Sequence, residues 1–166
     1  MDLPAWPFAL ALAGLAALAA LWLWRRRHRR PFALIDGSNV MFWKNGTSSL
    51  DPVAEVLAAL EAAGYDAAVI FDANVGYRLR GKFMHEARLR KALRLKGDRV
   101  MVVPSGTQAD PWLLDFARKM RAIVVSNDRF RDRIDAYPEL AQPGRLVRGG
   151  YRDGRLVLSL PQRRRR

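Results

Sequence analysis

Phe32-Ala33-Leu34-Ile35-Asp36-Gly37-Ser38-Asn39-Val40 opens with four apolar residues and then breaks. The run Phe32–Ile35 is too short for a helix and Gly37 ends it, so the stretch predicts a buried strand followed by a turn. In a parallel α/β sheet, ligands bind beyond the carboxyl ends of the strands. Asp36 would stand at that edge, with the Asn39 amide one turn later. An Asx-turn closing a strand needs the same residues, so the later strands must decide between the two readings.

The later strands end alike. Asp51-Pro52 predicts a helix start, with Asp as N-cap and Pro in the first turn. Val53, Val56, Leu57 and Leu60 make its apolar stripe, and Gly64 stops it. Ala67–Phe71 is a second strand, ending in Asp72-Ala73-Asn74. A basic, largely helical stretch runs from Arg78 to Lys96 and closes at Gly97. Arg99–Val103 is a third strand. Asp110-Pro111 repeats the cap and proline pair and opens a helix through Lys119. Ala122–Val125 is a fourth strand, running into Ser126-Asn127-Asp128, and a short helix carries Asp132. Strands alternating with helices predict a parallel sheet with helices on both faces. Leu146–Tyr151 and Arg155–Leu160 flank Asp153-Gly154 and predict a closing hairpin.

The chain has 166 residues and no cysteine. Disulfides, thiolate zinc sites and a cysteine nucleophile are therefore excluded. The two histidines, His28 and His85, lie in basic surroundings without a ligand partner at useful spacing, so neither a histidine metal site nor a Ser-His-Asp triad is expected. Chemistry must come from carboxylates, amides and hydroxyls. Nine of the 29 Lys and Arg residues lie in Arg25–Arg30 and Arg163–Arg166, and Asp2 alone of the 16 acids lies outside Pro31–Gln162. That leaves 20 basic against 15 acidic side chains, a modest +5 on a body with strongly basic ends. Such a balance suits a polyanion, either nucleic acid or an anionic membrane surface.

Pro4 to Trp24 carries no charge and, as a helix, would span roughly 30 Å, the thickness of a hydrocarbon core. Trp6, Trp22 and Trp24 fall near its ends. A cleaved signal peptide would want a basic start, which Met1-Asp2-Leu3 lacks. The expectation is a retained single-pass anchor in an inner or plasma membrane. Arginines on its C-terminal flank alone place the following domain in the cytoplasm. Ala9, Ala13 and Ala17 form a small-residue stripe able to pair helices, and a homodimer is one expected assembly. The expected organisation is residues 1–30 as anchor and basic flank, 31–162 as one domain and 163–166 as a basic tail.

Asp36, Asp110, Asp128 and Asp132 all fall where strands give way to helices. A helix through Asp128 and Asp132 would put both on one face. If the sheet forms, these acids converge on one edge, where several carboxylates cannot all stay ionised without a cation. Oxygen-only ligands suit Mg²⁺ or Mn²⁺ rather than zinc. Each acid also has a plainer use: helix cap for Asp110 and Asp128, solvated helix face for Asp132. Asp72 is an additional acid candidate at the same edge. Lys44, Arg78, Arg80 and Lys82 follow strands one and two and could hold flanking phosphates. Tyr77 or Trp43 could stack on an unpaired base. Solvated surface and ordinary packing explain these six equally well.

IDGSNV at Ile35–Val40, VVSNDRFRD at Val124–Asp132 and ADPWLLDFA at Ala109–Ala117 together resemble the Zc3h12a-like (Regnase-type) ribonucleases of the PIN/NYN-like nucleases. The resemblance covers about Phe32 to Tyr137. It implies a PIN-like three-layer α/β/α sandwich with a central mostly parallel sheet, here preceded by one transmembrane helix. It also implies metal-dependent endonucleolytic cleavage of RNA. By motif, the family's acids map onto Asp36, Asp110, Asp128 and Asp132, with Asn39 supporting the first. The chain departs from the family in having Ala109 where paired acids are common, in lacking the CCCH zinc finger, and in its N-terminal segment. Asp72 has no counterpart in the pattern.

The combined expectation is a membrane-anchored endoribonuclease. Its Asp cluster would hold Mg²⁺ (or Mn²⁺) to polarise a phosphate oxygen and activate water, leaving a 5′-phosphate and a 3′-hydroxyl. Single-stranded RNA is the expected substrate, and no small-molecule cofactor is called for. An inactive, membrane-tethered PIN-like module binding RNA or protein is the alternative. A toxin nuclease of a toxin–antitoxin pair is a third reading, against which the apolar span argues.

Overall fold

The alternation of Ala33, Leu34 and Ile35 splits β1 (Phe32–Asp36) between two cores. Ala33 and Ile35 face one apolar cluster and Leu34 the other, as the period-two geometry of a strand requires. The computed structural model describes residues 30–162, together with Leu15 and Leu18. Within the unit that begins at Pro31, α1 (Gly37–Val40) and α2 (Asp51–Ala62) follow β1, then β2 (Asp66–Phe71), α3 (Val75–Arg80) and α4 (Glu86–Ala92). β3 (Val100–Val102), α5 (Ala109–Met120) and β4 (Ile123–Val125) come next. Two short 3₁₀ turns, Arg131–Arg133 and Pro138–Ala141, lead to β5 (Leu146–Val147), β6 (Gly149–Arg152) and β7 (Arg155–Leu158).

Five strands form one parallel sheet in the order β3-β2-β1-β4-β5. One face is covered by α2, through Val53, Val56, Leu57 and Leu60, with Val75 of α3 and Leu89 of α4. The other is covered by Leu113, Leu114 and Ala117 of α5, with Phe130 and Tyr137. This is the three-layer α/β/α arrangement expected. The chain runs outward from β1 to β2 and β3, then returns to lay β4 on the opposite side of β1. The carboxyl ends of β1 and β4 therefore flank the point where strand order reverses, the usual place for a ligand crevice in such sheets. Gly37 turns the chain there: a Cβ on it would stand 2.4 Å from the Phe71 ring.

Several expectations need correction. Leu146–Val147 does not join the hairpin. Its backbone accepts from the β4 edge, with Ser126 N to Val147 O at 3.1 Å, and it becomes the fifth parallel strand. The hairpin is only β6 and β7, turned by Asp153 and Gly154 at φ 50° and 73°, as a type I′ turn needs. Asp51 and Asp110 do not cap their helices. Leu50 and Gln108 hold the cap positions without side-chain bonds, and each Asp sits in the first turn, where its charge complements the helix dipole. No α-helix runs through Asp128 and Asp132, because Phe130 between them is left-handed at φ 47° and only the 3₁₀ turn Arg131–Arg133 follows.

The membrane expectation is corrected too. Among the described residues, no helix is long and apolar enough to cross a membrane. The longest helices within residues 30–162 have twelve residues, about 18 Å at the α-helical rise. Pro4–Trp24, apart from Leu15 and Leu18, and the tail Arg163–Arg166 lie outside the described residues. A single-pass membrane location with a cytoplasmic domain has no support in the fold.

Candidate active site

Parallel pairing of Ile35 with Val125 sets the next residues, Asp36 and Ser126, side by side at the sheet edge. Ser126, the one buried polar side chain among the described residues, donates from Oγ to Asp36 Oδ2 at 2.8 Å. The same Oγ accepts from the Asp128 amide at 3.1 Å. Asp36 Oδ1 accepts from the Asn39 amide at 3.1 Å, so both carboxylate oxygens are oriented. Asn39 Oδ1 in turn accepts from Trp43 Nε1 at 2.8 Å and from the Asn127 amide at 3.0 Å. Asn127 spans to the hairpin, donating from Nδ2 to Gly149 O at 2.8 Å and accepting from Gly149 N at 3.2 Å. The loops after β1 and β4 are thus locked together by side chains about ninety positions apart in sequence.

Burial pushes the Asp36 pKa up to about 6, and Asp110 and Asp72 add to the rise; the bonds from Ser126 and Asn39 oppose it. Asp110 is also raised, by burial first and then by Asp128, with Asp132 and Asp72 adding and Arg133 opposing. Asp36, Asp72, Asp110, Asp128 and Asp132 therefore share one electrostatic neighbourhood, contributed by four connecting segments. Asp72 stands just beyond β2, its amide donating to Ser38 Oγ at 2.8 Å. Asp128 Oδ1 accepts from the Phe130 amide at 2.7 Å, an Asx-turn that leaves the other oxygen for a ligand. Asp132 is exposed and lies 3.1 Å from Arg133 Nε.

Arg133, which the sequence did not single out, also donates from Nη2 to Gln108 Oε1 at 2.7 Å and so ties the last acid to the start of α5. Ser126, Ser38 and Asn127 join the site without being candidates from the sequence. Their sequence signal is membership of the motifs IDGSNV and VVSNDRFRD, just after an apolar strand.

Among the described residues, no three Asp, Glu or His side chains stand close enough to share one ion directly. By chemistry the donor set still fits a hard divalent cation: it is all oxygen, and burial and mutual repulsion already hold Asp36 and Asp110 above their ordinary range. Mg²⁺ usually keeps several waters and takes only one or two carboxylates directly.

The basic candidates divide. Lys44 Nζ pairs with Glu55 Oε1 at 3.1 Å and lies 5.3 Å from the Tyr151 ring centre. The Arg78 guanidinium sits over the Phe42 ring at 5.8 Å. Arg80 and Lys82 are exposed. Tyr77 is 56% exposed, whereas Trp43 is half-buried, packed on the core and engaged with Asn39.

A sequence model of the Zc3h12a-like ribonuclease NYN domain matches residues 28–150. The crystal structure of nuclear proteinaceous RNase P 2 (PRORP2) from A. thaliana is similar to this chain at a TM-score of 0.62 and 19% identity, over 97% of this chain and 38% of that one. A second structure of Arabidopsis thaliana nuclear protein-only RNase P 2 gives 0.50 and 21%, over 93% and 36%. These likenesses show the fold, and this chain spans less than two-fifths of the length of either. None of the curated proteins compared with it is similar.

Proposed function

This chain belongs to the Zc3h12a-like ribonuclease NYN family, and on that footing we propose that it hydrolyses RNA internally with a divalent cation held at the acidic edge. The observation that carries the reading is the gathering of Asp36, Asp72, Asp110, Asp128 and Asp132 where the strand order reverses. Asp36, Asp110 and Asp128 would hold Mg²⁺ or Mn²⁺, with Asp132 and Asp72 in support through water. When bound, the cation supplies charge for a phosphate oxygen and lowers the pKa of a bound water.

The chain's own residues do the rest. Ser126 and the Asn39 amide hold the Asp36 carboxylate in one orientation. Asn39 fixes the position of Asn127 and so the start of the loop that carries Asp128. Arg129 and Arg131, both exposed beside Asp128, offer phosphate contacts.

Digestion of a single-stranded RNA by the full chain with Mg²⁺ tests this through the product ends. Water as nucleophile gives a 5′-phosphate and a 3′-hydroxyl. Products ending in a 2′,3′-cyclic phosphate would overturn the reading. A second reading, an RNA-binding module without turnover, draws on the spread of the carboxylates. Binding without cleavage would favour it.

A further inference from the structure

We propose that a cavity of about 650 Å³ between α3, α4 and the end of β3 takes one unpaired nucleobase of the bound RNA strand. The proposal rests on the nuclease reading in one respect: the strand's phosphates are taken to cross the acidic edge. Ala73 and Asn74, which line the cavity, follow Asp72 directly, so the two sites are continuous along the chain.

The walls have the chemistry a base requires. Tyr77 and Phe83 are 56% and 50% exposed, so ring surface on both stays open to a stacked base. His85 meets Phe83 edge to face at 4.7 Å and fixes that ring. Every base has a π-face, and a base stacks on aromatic side chains whatever its identity. Asn74 occupies the cap position of α3 yet makes no capping bond, so its amide is left to read a base edge.

The frame is built rather than loose. Glu86 Oε1 accepts from the Val102 amide at 2.8 Å and ties α4 to β3. Gly76 lets the 82–84 loop pack directly on α3, since a Cβ there would stand 2.4 Å from Met84 N. The occupant is a nucleic acid by charge. From Val75 to Lys96 there are eight basic side chains and one acid, Glu86, which is already engaged.

The test uses the full chain and short single-stranded RNAs with one abasic nucleotide placed at each position in turn, bound in EDTA. Removing the base at one position should weaken binding on the order of 10-fold, the scale of one stacked base. Tyr77→Ala should give the same loss on intact RNA and no further loss on that abasic RNA. Tyr77→Phe, which keeps the ring, should bind as wild type. Asn74→Ala, at an exposed position, should weaken binding to intact RNA alone. A loss with Tyr77→Ala that is equal on every RNA, or no position that stands out, would overturn the proposal. Parallel cleavage in Mn²⁺ separates the two ideas. Cleavage without a base-position effect removes the pocket and keeps the nuclease. A base-position effect without cleavage does the reverse, and failure to bind RNA at all removes both.

Discussion

Asp36 carries the cost of the site. Its pKa rises from 3.8 to about 6 because burial and neighbouring acids disfavour its charge. A carboxyl that binds its proton more tightly when folded stabilises the fold most at low pH. That stability is lost as pH rises from about 4 through about 6. At neutral pH the ionised Asp36 costs about 3 kcal/mol at most. Asp36→Asn should therefore raise the metal-free stability by about 1–3 kcal/mol near pH 7, with the gain shrinking near pH 4; urea unfolding at the two pH values checks this. Mn²⁺ should stabilise wild type more than the variant. Ser126→Ala should act oppositely. It strips a donor from Asp36 Oδ2 and an acceptor from the Asp128 amide, for a loss of about 1–3 kcal/mol in the same assay.

The elements were legible where period and punctuation agree. Phe32–Asp36 and Ala67–Phe71 read as strands because buried positions alternate between two cores and Gly or Asp ends each run. Asp-Pro pairs marked both twelve-residue helices but misplaced their caps by one or two residues, since Pro fits the first turn wherever the cap lies. Two-residue β5 could not be told from hairpin, because its partner is decided by β4, some twenty positions earlier. The Asp128–Asp132 helix failed at Phe130, whose left-handed backbone nothing in the sequence announces. The position of the candidate acids just past the strands was legible, but the bonds of Ser126 and Asn127 were not, because their partners lie about ninety residues away. Packing at Gly37 gives the sharpest test at this scale. Gly37→Ala drives a methyl into Phe71 and Val69 and should cost about 1–3 kcal/mol, read by urea unfolding. Activity should fall even where the fold survives, because Asp36 and Asn39 flank the position.

For the whole molecule, charge and site divide the work. Five of the 16 acids lie toward one edge, while basic side chains dominate Val75–Lys96 and the termini within a net charge of +13. Exposed arginines neutralise phosphates without reading sequence. Deleting Arg163–Arg166 should flatten the plot of log affinity for single-stranded RNA against log salt, by about 0.7 for each phosphate the tail neutralises. An unchanged slope would show that the tail does not touch the RNA. Cleavage of RNA at the acidic edge with a divalent cation is most open to test at Asp128. Asn at this position can still accept from the Phe130 amide, so the turn is preserved. The deciding measurement is Mn²⁺-dependent turnover of a single-stranded RNA by wild type and by Asp128→Asn, with RNA binding followed on the same samples. Wild type should cleave only with the metal, and the variant should lose about 10²-fold or more in turnover, with binding retained. Equal turnover by the two proteins, or wild-type cleavage undiminished in EDTA, would contradict a metal-dependent site at this edge.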